Sequence, residues 1–167
     1  MATSQLNVLV VEDSDTDAYA LTRTLGLMTD RSFHVSRRKT MADALAFLQE
    51  HQSDSEHTDL IFLDLGLPDT AGRDDTFRKI EKVAREIPVV VLTSVKEHNL
   101  ALDIVGGGAE DYIVKGEMAE NPAAMQRTID FAIRRRGAVK GICNQVQEEA
   151  KQKDQVISWL SGGYSAS

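Results

Sequence analysis

Leu60-Ile61-Phe62-Leu63-Asp64-Leu65-Gly66-Leu67-Pro68-Asp69 is an apolar run closed by a carboxylate and then broken by a glycine and a proline. Consecutive apolar residues ahead of such a break read as a strand buried on both faces. An acid in the last position of that strand faces a cleft rather than bulk water. The chain repeats the device. Val8-Leu9-Val10-Val11 leads to Glu12 and Asp13, Val89-Val90-Val91-Leu92 to Thr93, and Tyr112-Ile113-Val114 to Lys115. Acids, a hydroxyl and an ammonium thus share one kind of position, and the strand order that gathers them sets the function.

Strands are predicted near 6–11, 33–35, 59–63, 88–93 and 111–114. Helical spacing fills the intervals between them. Ser14 is a candidate N-cap for a helix over about 15–28, with Ala18, Leu21, Leu25 and Met28 on one side. Thr40 caps the next, which carries Ala44, Leu45 and Leu48 and fades near Gln52. Phe77, Ile80 and Val83 mark a third over about 73–85, and a weaker one near 97–105 runs into Gly106-Gly107-Gly108. Asn121-Pro122 is a good cap and first-turn pair for the last.

Strands alternating with helices imply an α/β fold with a parallel sheet and helices on both faces. The strands near 33–35 and 111–114 are mixed or short, so they belong at the edges. The order 2-1-3-4-5 satisfies these conditions and makes the fold a flavodoxin-like, doubly wound (βα)5 sheet. Its switch point lies between strands one and three, where Asp13 and Asp64 stand. The expected division is a domain over 1–136 and a C-terminal helical extension over 137–167. In the extension Val139, Ile142 and Val146 share a face that Val156, Ile157 and Leu160 resume. Glu149 and Lys153 interrupt that face, and Gly137 and Gly141 weaken the helix, so the region is expected to extend the last helix, with a break left open and no long coiled coil.

A net charge of −7 and a pI near 5.1 argue against nucleic-acid binding by the whole chain, despite Arg134-Arg135-Arg136. The single cysteine, Cys143, allows no internal disulfide and fits a reducing, cytoplasmic setting. The start of the chain reads as neither a signal peptide nor a membrane span. No internal repeat is present, and the polar stretch 49–58 reads as a surface loop.

Three carboxylates in one cleft repel. A pair ~4 Å apart costs on the order of 4 kcal/mol at an effective dielectric of ~20. Lys115 offsets part of that, and a divalent cation offsets more. Oxygen ligands without His or Cys select a hard ion, and few carboxylates with room for water suit Mg²⁺. Asp13 and Asp64 are read as direct ligands, Glu12 as one acting through water, and the Gly66 carbonyl as a further candidate. A carboxylate beside such an ion can attack phosphorus and form an aspartyl phosphate. Lys115 and Thr93 are placed to stabilise the charge that develops.

These residues resemble the receiver domain of bacterial two-component response regulators over roughly residues 6–136. The matching pieces are Val-Leu-Val-Val-Glu12-Asp13, Leu-Asp64-Leu-Gly-Leu-Pro68-Asp69 with Gly72, Val-Leu-Thr93-Ser94, and Asp-Tyr112-Ile-Val-Lys115. The resemblance implies that Asp64 accepts a phosphoryl group from the phosphohistidine of a histidine kinase or histidine phosphotransfer protein. It also implies that Thr93 bonds a phosphoryl oxygen, that Lys115 ion-pairs with the group, and that Tyr112 turns inward when Thr93 is drawn to it. Two departures stand out. Gly116 replaces the proline that usually follows the lysine, and Gly66 leaves no side chain two places beyond the acceptor, which alters how water reaches an acyl phosphate. The expected role is a switch of protein–protein contacts that catalyses its own phosphorylation and dephosphorylation. Output goes to a downstream protein or an onward phosphotransfer, with no nucleic acid and no membrane insertion. The last helix serves as a dimer seam, a docking helix or a lid. A homodimer can form through it or through the face made by the fourth helix, strand five and the last helix. The alternatives are a Mg²⁺-dependent phosphatase with an aspartyl nucleophile and an interaction module that takes no phosphoryl group.

Overall fold

The structure is a computed structural model and describes residues 4–51, 57–94 and 108–162. The chain runs β1 (Ser4–Val11), α1 (Asp15–Gly26), β2 (Arg31–Arg38), α2 (Met41–Glu50), β3 (Leu60–Asp64), α3 (Arg73–Val83), β4 (Val89–Thr93), β5 (Asp111–Val114), a 3-10 turn (Lys115–Glu117) and a C-terminal helix (Pro122–Gly162). The helix expected near 97–105 lies outside the described residues. The five strands pair in parallel in the order β2-β1-β3-β4-β5, as the patterning requires. No helix among the described residues is long and apolar enough to cross a membrane.

Every residue of β3 and β4 is buried. Because side chains alternate across a strand, each of these runs feeds both faces of the sheet. Leu9, Val11, Ile61, Leu63, Val89 and Val91 pack with Met41, Ala44 and Leu48 of α2 and Ile80 of α3. Val8, Val10, Leu60, Phe62, Val90 and Leu92 pack with Leu21 and Leu25 of α1 and with Met125, Ile129 and Ala132 of the C-terminal helix. Burying one such side chain stabilises by about 1.5–3 kcal/mol, so the two layers hold the sheet rigid beneath the strand ends.

One expectation needed correction. Strand two has eight residues, Arg31–Arg38, and not the three of Phe33-His34-Val35. It pairs along its whole length with β1, from Ser4 opposite Arg31 to Val11 opposite Arg38. An edge strand has only one neighbour to satisfy, so its Ser and Arg residues cost little and hide its length from a hydrophobicity reading. The C-terminal helix extends through the region beyond Gly137 as expected, and the break that had been left open does not occur: it runs for 41 residues through Gly137 and Gly141. Their cost of roughly 1 kcal/mol each weakens a helix without forbidding it.

Candidate functional site

The carboxyl ends of β1, β3, β4 and β5 open on one side of the sheet. β1 ends at Val11, and Glu12-Asp13-Ser14 form the loop into α1. The Ser14 hydroxyl caps α1 by accepting from the Asp17 backbone N–H at 3.3 Å. The Ser14 N–H in turn donates to Glu12 Oε1 at 3.0 Å. Arg37, on β2, clamps the same loop. Its Nε donates to the Glu12 carbonyl and its Nη2 to the Asp13 carbonyl, both at 3.0 Å, while Nη1 reaches Asp15 Oδ1 at 2.6 Å. The loop backbone is therefore fixed by side chains on both flanks.

Asp64 closes β3 and is 9% exposed. The turn beyond it is tied to its neighbours. Asp69 accepts from the backbone N–H groups of Met41 and Ala42, both at 2.9 Å, at the N-terminus of α2. Burial alone would raise the Asp69 pKa, but these two donors outweigh it and hold the carboxyl below its usual range. Thr76, fully buried in α3, reaches Thr70 Oγ1 at 2.6 Å and donates to the Gly72 carbonyl at 2.9 Å. Gly72 opens α3 with φ of 134°, a conformation that strains any residue carrying a Cβ.

Lys115 draws the ends together. Its Nζ lies 2.7 Å from Glu12 Oε2, 3.0 Å from Asp17 Oδ2 and 3.2 Å from Asp64 Oδ1. Burial opposes its charge, but hydrogen bonds to Glu12 and Asp17 and the field of Asp64 dominate and hold its pKa well above the ordinary lysine value. Glu12 is fully buried, and desolvation pushes its pKa up against the pull of Lys115, with Asp64 adding to the rise. Glu12 Oε2 is sealed from solvent and lies against the Lys115 ammonium at 2.7 Å. That oxygen has room in its coordination for a further positive partner.

Glu12, Asp13 and Asp64 each offer a carboxylate oxygen, and these lie within 4.8 Å of one another. This all-oxygen set fits a metal ion. The sequence expectation for Glu12, Asp13, Asp64 and Lys115 thus corresponds to one cluster. Thr93 is buried at the end of β4. The register sets it beside Val114, just before Lys115, and one residue past Leu92, the partner of Asp64. Gly66 is exposed in the turn, and a Cβ built on it would stand 3.4 Å from Asp64 Oδ2, so the missing side chain leaves the carboxylate open there. Tyr112 is half-buried, packs against the layer that contains Val91 and Ala109, and borders a groove of about 250 Å³ between β5 and the C-terminal helix. Among the described residues no peptide bond is cis, so Lys115-Gly116 is trans and the chain turns there through the 3-10 segment.

Two residues escaped the sequence reading. Asp17 looks like the acid of an N-terminal capping pattern, Ser14-Asp15-Thr16-Asp17, yet its carboxylate binds Lys115. Its signal was position, since the first turn of α1 rises directly above the strand ends. Arg37 sits in a mixed edge strand, and nothing in the chain links it to a loop 24 residues away.

Comparisons with known proteins agree with this geometry. The family described as "Response regulator receiver domain" matches residues 8–126. The regulatory protein LuxO of Vibrio cholerae is 33% identical over 82 residues, which are 49% of this chain and 17% of that protein. The chain therefore spans less than a fifth of LuxO. The polar-differentiation response regulator DivK of Brucella abortus is 29% identical over 110 residues, 65% of this chain and 83% of DivK. The signal receiver domain of a putative LuxO repressor from Vibrio parahaemolyticus superposes with a TM-score of 0.65 at 24% identity, covering 83% of this chain and 97% of that one, and shares the fold. A matched family spanning most of the chain, over a sheet of the right order with its acids at the right strand ends, means that the protein belongs to the response regulator receiver domain family.

Proposed function

We propose that this chain is a phosphorylation-dependent switch whose phosphoacceptor is Asp64. The observation that carries this is the meeting of Glu12, Asp13, Asp64 and Lys115 at the strand ends, with Lys115 Nζ 3.2 Å from Asp64 Oδ1. A carboxylate oxygen of Asp64 attacks the phosphorus of a phosphohistidine on a histidine kinase or phosphotransfer protein. The P–N bond breaks, and its electron pair stays on the imidazole nitrogen, which takes a proton. Lys115 is already held charged beside the acceptor and balances the charge of the arriving phosphoryl oxygens. The Thr93 hydroxyl donates to one of them. Asp13 and Asp64, with the Gly66 carbonyl and with Glu12 directly or through water, would hold Mg²⁺. Bound there, the ion neutralises charge shared between the carboxylates and the phosphoryl group. The chain catalyses its own phosphorylation and phosphoryl loss and is not a turnover enzyme.

Drawing Thr93 toward the phosphoryl group frees space that Tyr112 can enter, which favours one arrangement of the surface around β5. The groove beside Tyr112, lined also by Met118 and Met125, is an apolar surface suited to a protein partner. We assign residues 1–136 to the receiver and 137–167 to an extension, on the ground that the described side chains from Ala138 to Ile157 are all exposed. Net charge of −7 favours a protein target over nucleic acid, and the one free cysteine suits the cytoplasm.

Intact mass after incubation with acetyl phosphate and Mg²⁺ tests the assignment. One phosphoryl group is expected on the wild-type chain, and none on Asp64→Asn or in the presence of a chelator. An unmodified wild type, or a variant that still gains the group, overturns it.

A further inference from the structure

Beyond Gly137 the C-terminal helix leaves the domain. Every described side chain from Ala138 to Ile157 is exposed, over about 30 Å at 1.5 Å per residue. Most helices in proteins are held by packing of an apolar face, whereas in this segment the described side chains from Ala138 to Val156 are all left exposed. It nevertheless carries such a face. Val139, Ile142, Val146 and Val156 are 49–62% exposed and fall on one heptad stripe that the sequence continues with Leu160. Glu149 and Lys153 fill the two middle positions of that stripe. The positions flanking it are free of charge, with Cys143, Ala150 and Ile157 on one side and Ala138, Gln145 and Gln152 on the other. Glu148, Lys151 and Asp154 stand away from it. A merely solvated helix would scatter its charges, whereas this one clears a side of all but one acid and one base.

That pair selects the occupant. In a parallel, in-register pair of these helices Glu149 meets Glu149 and Lys153 meets Lys153, so like charges face each other in the seam. In an antiparallel pair with its two-fold axis at Lys151, Glu149 faces Lys153 of the partner subunit, and the reciprocal contact repeats it. Val146 then faces the partner's Val156, and Ile142 faces the partner's Leu160. Sliding one heptad either way sets Glu149 against Val146 or Leu160 and Lys153 against Ile142 or Val156. Only the first register matches apolar with apolar and acid with base at each of these positions. It is isologous and closes as a dimer.

We propose that the projecting half of the C-terminal helix pairs antiparallel with the same helix of a second copy of this chain, in the register set by Glu149 and Lys153. The seam is a short one, about 27 Å from Ile142 to Leu160 at 1.5 Å per residue, and it does not require the long parallel coiled coil that the interrupted stripe argues against. It leaves the strand ends around Asp64 untouched.

Sedimentation velocity of the full chain, over a range of micromolar concentrations, tests the pairing. The wild type is expected at twice its 18.4 kDa chain mass. Glu149→Lys alone and Lys153→Glu alone each place like charges opposite one another and are expected to raise the dimer dissociation constant about tenfold or more. An equimolar mixture of the two single variants restores complementarity and is expected to dimerise, as is the double variant. Recovery on mixing also shows that each single variant is folded. A wild type that stays at one chain mass overturns the proposal. So does a dimer indifferent to both single substitutions, which would place the contact on another face or in a parallel arrangement.

Discussion

At the scale of the residue, Lys115 is the centre of the site. Its side chain is 10% exposed and touches three carboxylates, one of them the fully buried Glu12. Without it Glu12, Asp17 and Asp64 lose the ammonium that pairs with each of them. Removing one member of a sealed ion pair costs about 3–5 kcal/mol, and this cleft is partly open. Lys115→Met is therefore expected to lower stability by about 2 kcal/mol in a chelator, read from urea unfolding at pH 7. Added Mg²⁺ is expected to return part of the loss, because it supplies the missing positive charge. Unchanged unfolding in the chelator would show that the acids relax away from one another.

At the scale of the element, the turn after β3 depends on Asp69. This residue joins the loop that follows Asp64 to the N-terminus of α2 by accepting two backbone N–H groups. The helix end gains an anion where its dipole favours one. Asp69→Ala is expected to cost about 1 kcal/mol, a figure kept small because the residue is exposed. The sign of the pH dependence follows from its lowered pKa. The folded state binds a proton at Asp69 less readily than the unfolded state, so the contribution is present above the ordinary value near 3.8 and fades as pH falls through the lower folded value. The difference between wild type and Asp69→Ala should therefore be flat from pH 7 to about 5 and shrink in strong acid. A gap that widens on acidification would contradict the assignment.

At the scale of the whole molecule, the chain divides by what it buries. Met125, Ile129 and Ala132 of the C-terminal helix complete the core, while Val139, Ile142, Val146, Val156 and Ile157 are about half exposed or more. A chain ending at Gly137 should keep its fold. At concentrations low enough to dissociate any dimer, its unfolding free energy from denaturant titration should match that of the full chain to within about 0.5 kcal/mol. A large loss would mean that the extension stabilises the receiver by contacts of its own.

The sheet was legible because burial on both faces forces apolar runs such as Leu60–Leu63 and Val89–Leu92, and because parallel crossovers leave few strand orders to consider. Glu12, Asp13, Asp64 and Lys115 were legible because each directly follows such a run, so that local sequence already states their depth. Strand two was not, since an edge strand bears polar residues at no great cost. Asp17 and Arg37 were not, since their roles are contacts with groups distant along the chain. The extension of the C-terminal helix was legible, but whether it breaks was not, because propensity sets the cost of Gly137 and Gly141 but not whether neighbouring turns absorb it. Composition and periodicity thus determined which residues end strands. Only the folded sheet decided that Lys115 meets Glu12, Asp17 and Asp64 within 3.2 Å, because such a contact requires β5 and β1, on opposite sides of β3, to bring their ends together.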